Sequence, residues 1–258
     1  MGRSALVTAG PVKVWAARAL TSPAAGRVIG TLTRHRVRHY GLRFDVSSPD
    51  FSPRVRAQMF WGIYEGAEVR MIRRHLAGST AVLELGSSLG VTAAHLASVM
   101  APGGRLVCVE ANPFLADGLR DRLRQNVGDR VRVERLHVAV TAAGGTATLD
   151  VGGETFGSRV SGVDGAGTVT VPAMTLRQIV EQTGLVEYDL VSDVEGAEAA
   201  FLLTDASALA GCRRAVLELH SAVVDGRTVT PYDLMDAAEA VGLRVVDQHG
   251  PVVALARD

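Results

Sequence analysis

The stretch Val82-Leu83-Glu84-Leu85-Gly86-Ser87-Ser88-Leu89-Gly90 joins an apolar run to a helical pattern. The apolar run predicts a buried strand, and the glycines predict a tight turn before a helix. Strand, turn and helix in this order are typical of open α/β sheets, which bind ligands beside such turns. We therefore expect a ligand to lie against Gly86 and Gly90, because glycine has no side chain to fill the space there.

Downstream of this stretch, strand-like runs alternate with helical runs, which predicts a parallel sheet with helices on both faces. The predicted strands are Ala81–Leu85, Arg105–Glu110, Val131–His137, Asp189–Asp193, Ala215–Leu219, Leu243–Asp247 and Val252–Ala256. The predicted helices are Val91–Met100, Phe114–Asn126, Leu176–Thr183, Ala197–Ala210 and Pro231–Val241. The last two strands are too close for a crossover and must form an antiparallel hairpin. The fold class is therefore α/β, with a mostly parallel seven-stranded sheet that ends in a C-terminal hairpin.

Two regions depart from this alternation. Thr146–Val151 and Thr168–Val171 are predicted as extra strands around a Gly-rich stretch, Gly152–Gly167, which we interpret as a loop or a substrate lid. At the other end, residues 1–76 are predicted to form a helical extension ahead of a domain at residues 77–258. Within the extension, Phe51–Leu76 is predicted to be one helix.

The extension is basic. Residues 1–43 hold eight of the 27 Lys and Arg residues and none of the 27 Asp and Glu residues, so the rest of the chain carries a net charge of −8. We interpret the extension first as a helical arm that packs on the domain or on a second subunit, as in a homodimer. A transit peptide and a peripheral contact with membrane phosphates are the alternatives.

Composition excludes several classes of protein. Cys108 and Cys212 are the only cysteines, which argues against a disulfide framework and favours a cytoplasmic protein. No apolar run reaches the roughly 18 residues of a transmembrane segment. Lys13 is the only lysine beside 26 arginines, a bias that fits codon usage, so we do not expect a nucleic-acid partner.

The glycine turn has two candidate ligands. A nicotinamide dinucleotide site would need glycines at positions 88 and 91, where the chain has Ser88 and Val91. Glu84 lies inside the strand, where an acid suits a cationic amino-acid head group better than a pyrophosphate. These residues favour S-adenosylmethionine. Glu110 ends the next strand, and an acid there can accept hydrogen bonds from both ribose hydroxyls of either cofactor.

A second cluster of acids follows the strand at Tyr188–Ser192. Asp193, Glu195 and Glu198 come at its carboxyl end, which faces the crevice where open α/β sheets bind ligands. Acids also favour helix N-termini, but capping would explain one acid and not three.

At these residues the chain resembles the FkbM family of methyltransferases. The resemblance lies in the segments Val82–Gly90, Val109–Pro113, Ser192–Glu198 and Leu217–His220. It implies a Rossmann-like class I methyltransferase fold, and a cofactor site formed by Glu84, Gly86, Ser88, Gly90, Glu110, Asn112 and Asp193. The family often has Asn where this chain has Ser88. The resemblance also implies O-methylation of a hydroxyl on a small-molecule or saccharide acceptor, such as a sugar, a glycolipid or a natural product.

An alcohol is a poor nucleophile at neutral pH and needs a general base or a metal ion. The candidate catalytic residues are Asp193, Glu195 and His220. The candidate ligands of Mg or Mn are Asp193, Glu218 and His220, since Glu218 and His220 leave the same face of one strand. A buried Glu–His pair without a catalytic role is the alternative.

Two other functions stay open from the sequence. One is a nicotinamide-dependent oxidoreductase, which Ser88 and Val91 disfavour. The other is a non-catalytic subunit that binds S-adenosylmethionine and holds a partner through the N-terminal arm.

Overall fold

The computed structural model describes residues 18–115, 118–150, 159–161 and 167–257. The chain forms two compact units, Met1–Tyr64 and Glu65–Asp258. This division falls before the boundary that we drew at residue 76, because the helix at Gly66–His75 packs on strands and a helix of the second unit.

The first unit combines helices with a hairpin. Its elements are α1 (Pro23–Leu32), β1 (Arg36–His39), β2 (Leu42–Asp45) and α2 (Pro53–Phe60). The strands pair antiparallel through a turn at Tyr40 and Gly41, which both have positive φ angles, as the two central residues of a type I′ turn do. The extension is therefore not wholly helical, and the hairpin is an element that we did not predict.

The prediction of one continuous helix from Phe51 to Leu76 is wrong, because the structure has two helices there. Helix α2 ends at Phe60, and the next helix, α3, spans Gly66–His75. Gly62 and Glu65 between them have φ angles of 65° and 47°. Left-handed backbone cannot continue a right-handed helix, so the chain breaks there despite its helical hydrophobic pattern.

The second unit continues with an α/β alternation. After α3, its elements are β3 (Ala81–Leu85), α4 (Val91–Val99), β4 (Arg105–Val109), α5 (Leu119–Val127), β5 (Arg132–Leu136), β6 (Ala139–Val140), β7 (Gly145–Asp150), β8 (Arg159–Ser161), β9 (Thr168–Met174), α6 (Leu176–Thr183), β10 (Tyr188–Ser192), α7 (Glu198–Thr204), a 3₁₀ helix (Ala206–Gly211), β11 (Cys212–Glu218), β12 (Ala222–Val224), β13 (Arg227–Val229), α8 (Pro231–Ala240), β14 (Leu243–His249) and β15 (Val252–Arg257). The seven predicted strands are all present within a few residues of their predicted ends. The helix predicted at Ala197–Ala210 instead divides into α7 and the 3₁₀ helix.

The main sheet has seven strands in the order β14-β15-β11-β10-β3-β4-β5. Strands β11, β10, β3, β4 and β5 run parallel, and β15 pairs antiparallel with both β11 and β14. This confirms the predicted α/β fold with its C-terminal hairpin, which is the architecture of a class I methyltransferase. The central strands are buried on both faces, as their mostly apolar sequences predict, and the polar residues Glu84, Asp189 and Ser192 are buried with them.

The two extra strands form a small sheet apart from the main one. Strands β7 and β9 pair antiparallel, with β8 and β6 at the edges, in the order β6-β9-β7-β8. The predicted loop or lid at Gly152–Gly167 lies mostly outside the described residues. Strands β12 and β13 form a further hairpin, which the sequence did not predict.

Polar side chains lie at both ends of the neighbouring strands β10 and β11 in the main sheet. At the amino ends of β10 and β11, buried Asp189 accepts hydrogen bonds from Arg214 and Ser79. At their carboxyl ends lie the acids singled out above. Within the described residues, none of the helices is long and apolar enough to span a bilayer.

Candidate functional site

The turn between β3 and α4 is built from left-handed backbone. Gly86, Ser88 and Gly90 have φ angles of 85°, 44° and 73°. A Cβ atom at Gly86 would lie 2.0 Å from the backbone oxygen of Asp193. One at Gly90 would lie 2.3 Å from Cδ1 of Leu119. Close approach of the protein backbone therefore requires glycine at Gly86, where we had assigned the space to a ligand. At Gly90 the nearest atom ends a flexible side chain, so the left-handed φ angle is what favours glycine there.

Glu110 links this turn to the end of the second strand. Its carboxylate accepts the backbone N–H of Ser88 at 2.6 Å and that of Asn112 at 2.7 Å. Burial raises the pKa of Glu110, and these two hydrogen bonds oppose the rise. The side-chain oxygen of Asn112 accepts the backbone N–H of Phe114 at 3.0 Å, so it shapes the loop after β4. Glu110 therefore holds the two loops together at the place predicted for a ribose.

Glu84 is buried in the middle of the sheet, with 1% of its surface exposed. Among the described residues, neither carboxylate oxygen has a hydrogen-bond partner of good geometry. Burial raises the pKa of Glu84 to about 7, although the Cys108 thiol and the Ser87 hydroxyl lie near enough to lower it somewhat. A cation beside a buried carboxylate that lacks hydrogen-bond partners would stabilise its charged form.

Asp193 follows the carboxyl end of β10, and Glu218 is the last residue of the adjacent strand β11, whose register aligns Leu217 with Ser192. Oδ1 of Asp193 is buried and has no partner among the described residues. Burial raises the pKa of Asp193 to about 7, and His220 opposes that rise. Burial, Asp193 and a hydrogen bond with Glu68 raise the pKa of Glu218. The main sheet therefore carries one fully buried acid, Glu84, and two half-buried acids, Asp193 and Glu218, on neighbouring strands at the carboxyl edge.

His220 lies among these acids. Its Nε2 atom is 3.6 Å from Oε1 of Glu218 and 3.9 Å from Oε2 of Glu195, and its Nδ1 atom is 3.7 Å from Oε2 of Glu198. Glu198 raises the pKa of His220 to about 9, ahead of the other acids. The surrounding acids therefore favour the protonated imidazole, which would bring a positive charge to the cluster.

Glu198 has a structural task as well. It is fully buried and accepts the backbone N–H groups of Val194 and Gly196, both at 2.8 Å. These bonds hold the loop after β10, in which Glu195 has a φ angle of 53°. Loop capping therefore accounts for one of the three acids in this motif, while Asp193 and Glu195 remain beside His220.

The geometry also tests the predicted metal ligands. Asp193, Glu195 and His220 each offer one ligand atom, and these atoms lie within 4.8 Å of one another. We had predicted Glu218 in place of Glu195. In the described part of the chain, the set that could hold an ion therefore coincides with the predicted catalytic set.

Glu68 is a residue that the sequence reasoning missed. It lies on α3, ahead of every recognised motif, and it is 7% exposed. Its contact with Glu218 brings a further carboxyl group to the site. The only signal in the sequence was an acid inside the apolar pattern of a helix, between Ala67 and Val69.

A cleft of about 500 Å³ lies between α5 and the strands β4 and β5. Glu110, Leu119, Arg135 and His137 are among the residues that line it. The cleft does not include the acids around His220, so the site has two parts, which lie over different strands of the same sheet.

Comparison with known proteins gives one family match. The sequence model of the methyltransferase FkbM domain matches residues 84–242, which is more than half of the chain and includes both parts of the site. A comparison with curated proteins found no match.

Solved structures give weaker likenesses. Fibrillarin of Aeropyrum pernix with bound S-adenosyl-L-methionine has 16% identity and a TM-score of 0.41, over 70% of this chain and 67% of that one. The O-methyltransferase TomG of Streptomyces achromogenes, solved with S-adenosylmethionine, has 14% identity and a TM-score of 0.42, over 96% of both chains. A methyltransferase of Geobacter sulfurreducens has 13% identity and a TM-score of 0.45, over 98% and 99%. These scores are low, so nothing about activity is inferred from them.

Proposed function

The chain belongs to the family defined by the methyltransferase FkbM domain, and on that premise we propose that it methylates a hydroxyl oxygen of a sugar, glycolipid or natural product, with S-adenosylmethionine as the methyl donor. One observation carries the proposal. Glu84 is fully buried and Asp193 is half-buried, and both have buried carboxylate oxygens without partners among the described residues, at the carboxyl edge of adjacent strands. Open α/β sheets bind their ligands at this edge.

The residues present fit the cofactor. S-adenosylmethionine supplies a methyl carbon that its sulfonium makes electrophilic. Glu84 suits the cationic amino-acid end, because a cation would pair with carboxylate oxygens that have no partner among the described residues. Glu110 suits the ribose, because each of its oxygens accepts one backbone N–H and has a second lone pair for a hydroxyl. The cleft beside Glu110 has the size for a flat ring.

Asp193 is the proposed general base. It lies at the strand end, next to the proposed head-group site, and it has an oxygen without a partner among the described residues. We assign Glu195 and His220 to orienting the acceptor, His220 as a charged donor and Glu195 as an acceptor. This changes our expectation for His220, which as a protonated imidazole cannot take the hydroxyl proton.

A divalent cation is the second candidate for activating the hydroxyl. The ligand atoms of Asp193, Glu195 and His220 are close enough to share one ion. Two carboxylates and one imidazole suit Mg or Mn better than a closed zinc site. In this version, His220 would have to lose its proton, and chelation should stop turnover without weakening S-adenosylmethionine binding.

The test is methyl transfer itself. Full-length protein is incubated with S-adenosylmethionine labelled on the methyl group and with panels of sugars, glycolipids and polyhydroxylated natural products, with and without chelator. We expect label to appear on oxygen, together with stoichiometric S-adenosylhomocysteine. Label on nitrogen or carbon would contradict O-methylation. Tight binding without turnover on any panel would favour the non-catalytic partner subunit instead.

A further inference from the structure

Exposed apolar side chains are concentrated in the first unit. Twelve large apolar residues are exposed among the described residues. Six of them lie between positions 18 and 64, a stretch of less than a fifth of the chain. They are Leu20, Val28, Leu32, Phe60, Trp61 and Ile63. Single exposed apolar residues are ordinary, but a concentration on one small unit indicates a docking surface.

These side chains form groups. The indole N–H of Trp61 donates to the backbone oxygen of Leu20 at 3.1 Å, and the rings of Phe60 and Trp61 meet edge to face at 5.0 Å. Val28 and Leu32 are one helical turn apart on α1, so they share a face. That face is not the one on which α1 buries Ile29, and Leu32 is 78% exposed.

The first unit is also strongly basic. The first unit holds ten of the 27 basic residues of the chain and two of the 27 acids. Seven arginines in its described part are exposed: Arg18, Arg27, Arg34, Arg36, Arg38, Arg43 and Arg54. The unit therefore has a net charge of +8, while the second unit has −8.

We propose that the first unit docks this protein on a lipid bilayer that contains anionic phospholipid. The exposed leucine, valine and phenylalanine side chains can enter the acyl boundary, and the indole of Trp61 is a ring type that favours the headgroup level. The arginines match lipid phosphates in charge. The second unit is acidic and gives no such attraction, so binding must come from the first unit. This proposal is independent of the methyl acceptor.

The experiment is co-sedimentation of the full chain with vesicles of phosphatidylcholine alone and of phosphatidylcholine with phosphatidylglycerol. We expect binding to the anionic vesicles only, and its loss at high salt, because surface charges are screened. The double variant Val28→Ser with Leu32→Ser should lower the vesicle partition coefficient by roughly tenfold or more, since two apolar groups no longer enter the bilayer. The matched control is Val186→Ser, since Val186 is 82% exposed in the second unit.

Three results would overturn the proposal. The first is no binding to anionic vesicles at either salt concentration. The second is an equal loss in Val186→Ser, with both variants folded by circular dichroism. The third is a combination of two observations: the wild type does not bind vesicles, and it sediments as a dimer whereas the double variant sediments as a monomer. That result would assign the surface to a second copy of the chain.

Discussion

An acid lies near each end of strand β10, Asp189 inside the strand and Asp193 directly after it, and the two acids have opposite surroundings. At the amino end, Asp189 is fully buried and accepts Arg214 at 3.1 and 2.6 Å and the Ser79 hydroxyl at 2.6 Å. At the carboxyl end, Oδ1 of Asp193 is buried and has no partner among the described residues. The fold thus pairs Asp189 with a cation and a hydroxyl, whereas Oδ1 of Asp193 has no hydrogen-bond partner among the described residues.

On the proposed function, this difference separates a structural acid, Asp189, from a functional one, Asp193. A buried charge is tolerated when it is paired, and it costs stability when it is not. Asp193 and Glu84 both have a pKa raised to about 7, which is the signature of that cost. Groups with such environments cluster at sites that bind ligands or do chemistry. The two ends of β10 should therefore respond differently to substitution.

The largest effect is expected for Asp193→Asn. If Asp193 takes the hydroxyl proton, the substitution should lower turnover by about 10²–10⁴-fold, the usual range for loss of a general base. The free energy of unfolding at pH 8 should not fall, because a buried carboxylate has been removed. Initial rates and urea denaturation measure the two quantities. The control is Glu187→Gln, which changes an exposed side chain. Near-normal turnover in Asp193→Asn would show that Asp193 is not the general base.

The reverse response is expected at the amino end. Arg214→Met should lower the free energy of unfolding by about 3–5 kcal/mol, because it leaves the charge of Asp189 buried without its main partner. Arg213→Met should cost no more than about 1 kcal/mol, since Arg213 is partly exposed and lies 3.8 Å from Asp189. Affinity for S-adenosylmethionine should be unchanged in both. Equal losses of stability would show that Arg214 is not the main partner.

Glu110 combines the two roles, since its carboxylate accepts hydrogen bonds from the backbone and is also proposed to bind the ribose of the cofactor. Glu110→Ala should weaken S-adenosylmethionine binding by about 1.5–3 kcal/mol, the scale for hydrogen bonds to a charged group. It should also loosen the turn at Ser88, because two backbone N–H groups lose their acceptor. Calorimetry and hydrogen exchange at Ser88 and Asn112 measure these effects. An unchanged dissociation constant would place the ribose elsewhere.

The smallest effect is a pH dependence at Glu84. Its folded pKa of about 7 lies above the ordinary glutamate value of 4.5, so the folded state retains a proton that the unfolded state loses. The resulting stability is complete below about pH 4.5 and is lost as pH rises through 7. Between pH 5 and pH 8, the wild type should therefore lose about 1–3 kcal/mol more than Glu84→Gln. Parallel stability curves for the two proteins would show that Glu84 ionises freely.

The order of strands and helices could be predicted because the apolar runs are continuous and the last connection is too short for a crossover. The hairpin at Arg36–Asp45 was not predicted, since its strands are short and the turn pairs Tyr40 with Gly41 rather than a common turn dipeptide. The break before α3 depends on left-handed backbone at Gly62 and Glu65, which periodicity does not detect.

The sequence predicted which acids lie at the ends of the strands, but it predicted less well what each of these residues contacts. Gly86 was singled out correctly, but the atom that requires it is the backbone oxygen of Asp193, which is distant in sequence. Glu198 turned out to brace a loop, and Glu68 joined the site from a helix ahead of the motifs. Such assignments depend on contacts between distant segments, which spacing along the chain does not contain.

The most direct test of the central claim is titration calorimetry with S-adenosylmethionine, S-adenosylhomocysteine and NAD on the wild type, Glu84→Gln and the control Glu187→Gln. We predict that the wild type binds the first two ligands and not NAD. Glu84→Gln should bind S-adenosylmethionine about tenfold more weakly or worse, because a charged hydrogen bond to the head group is lost, while Glu187→Gln should match the wild type. Binding of NAD, or equal affinity of Glu84→Gln and wild type for S-adenosylmethionine, would contradict the account.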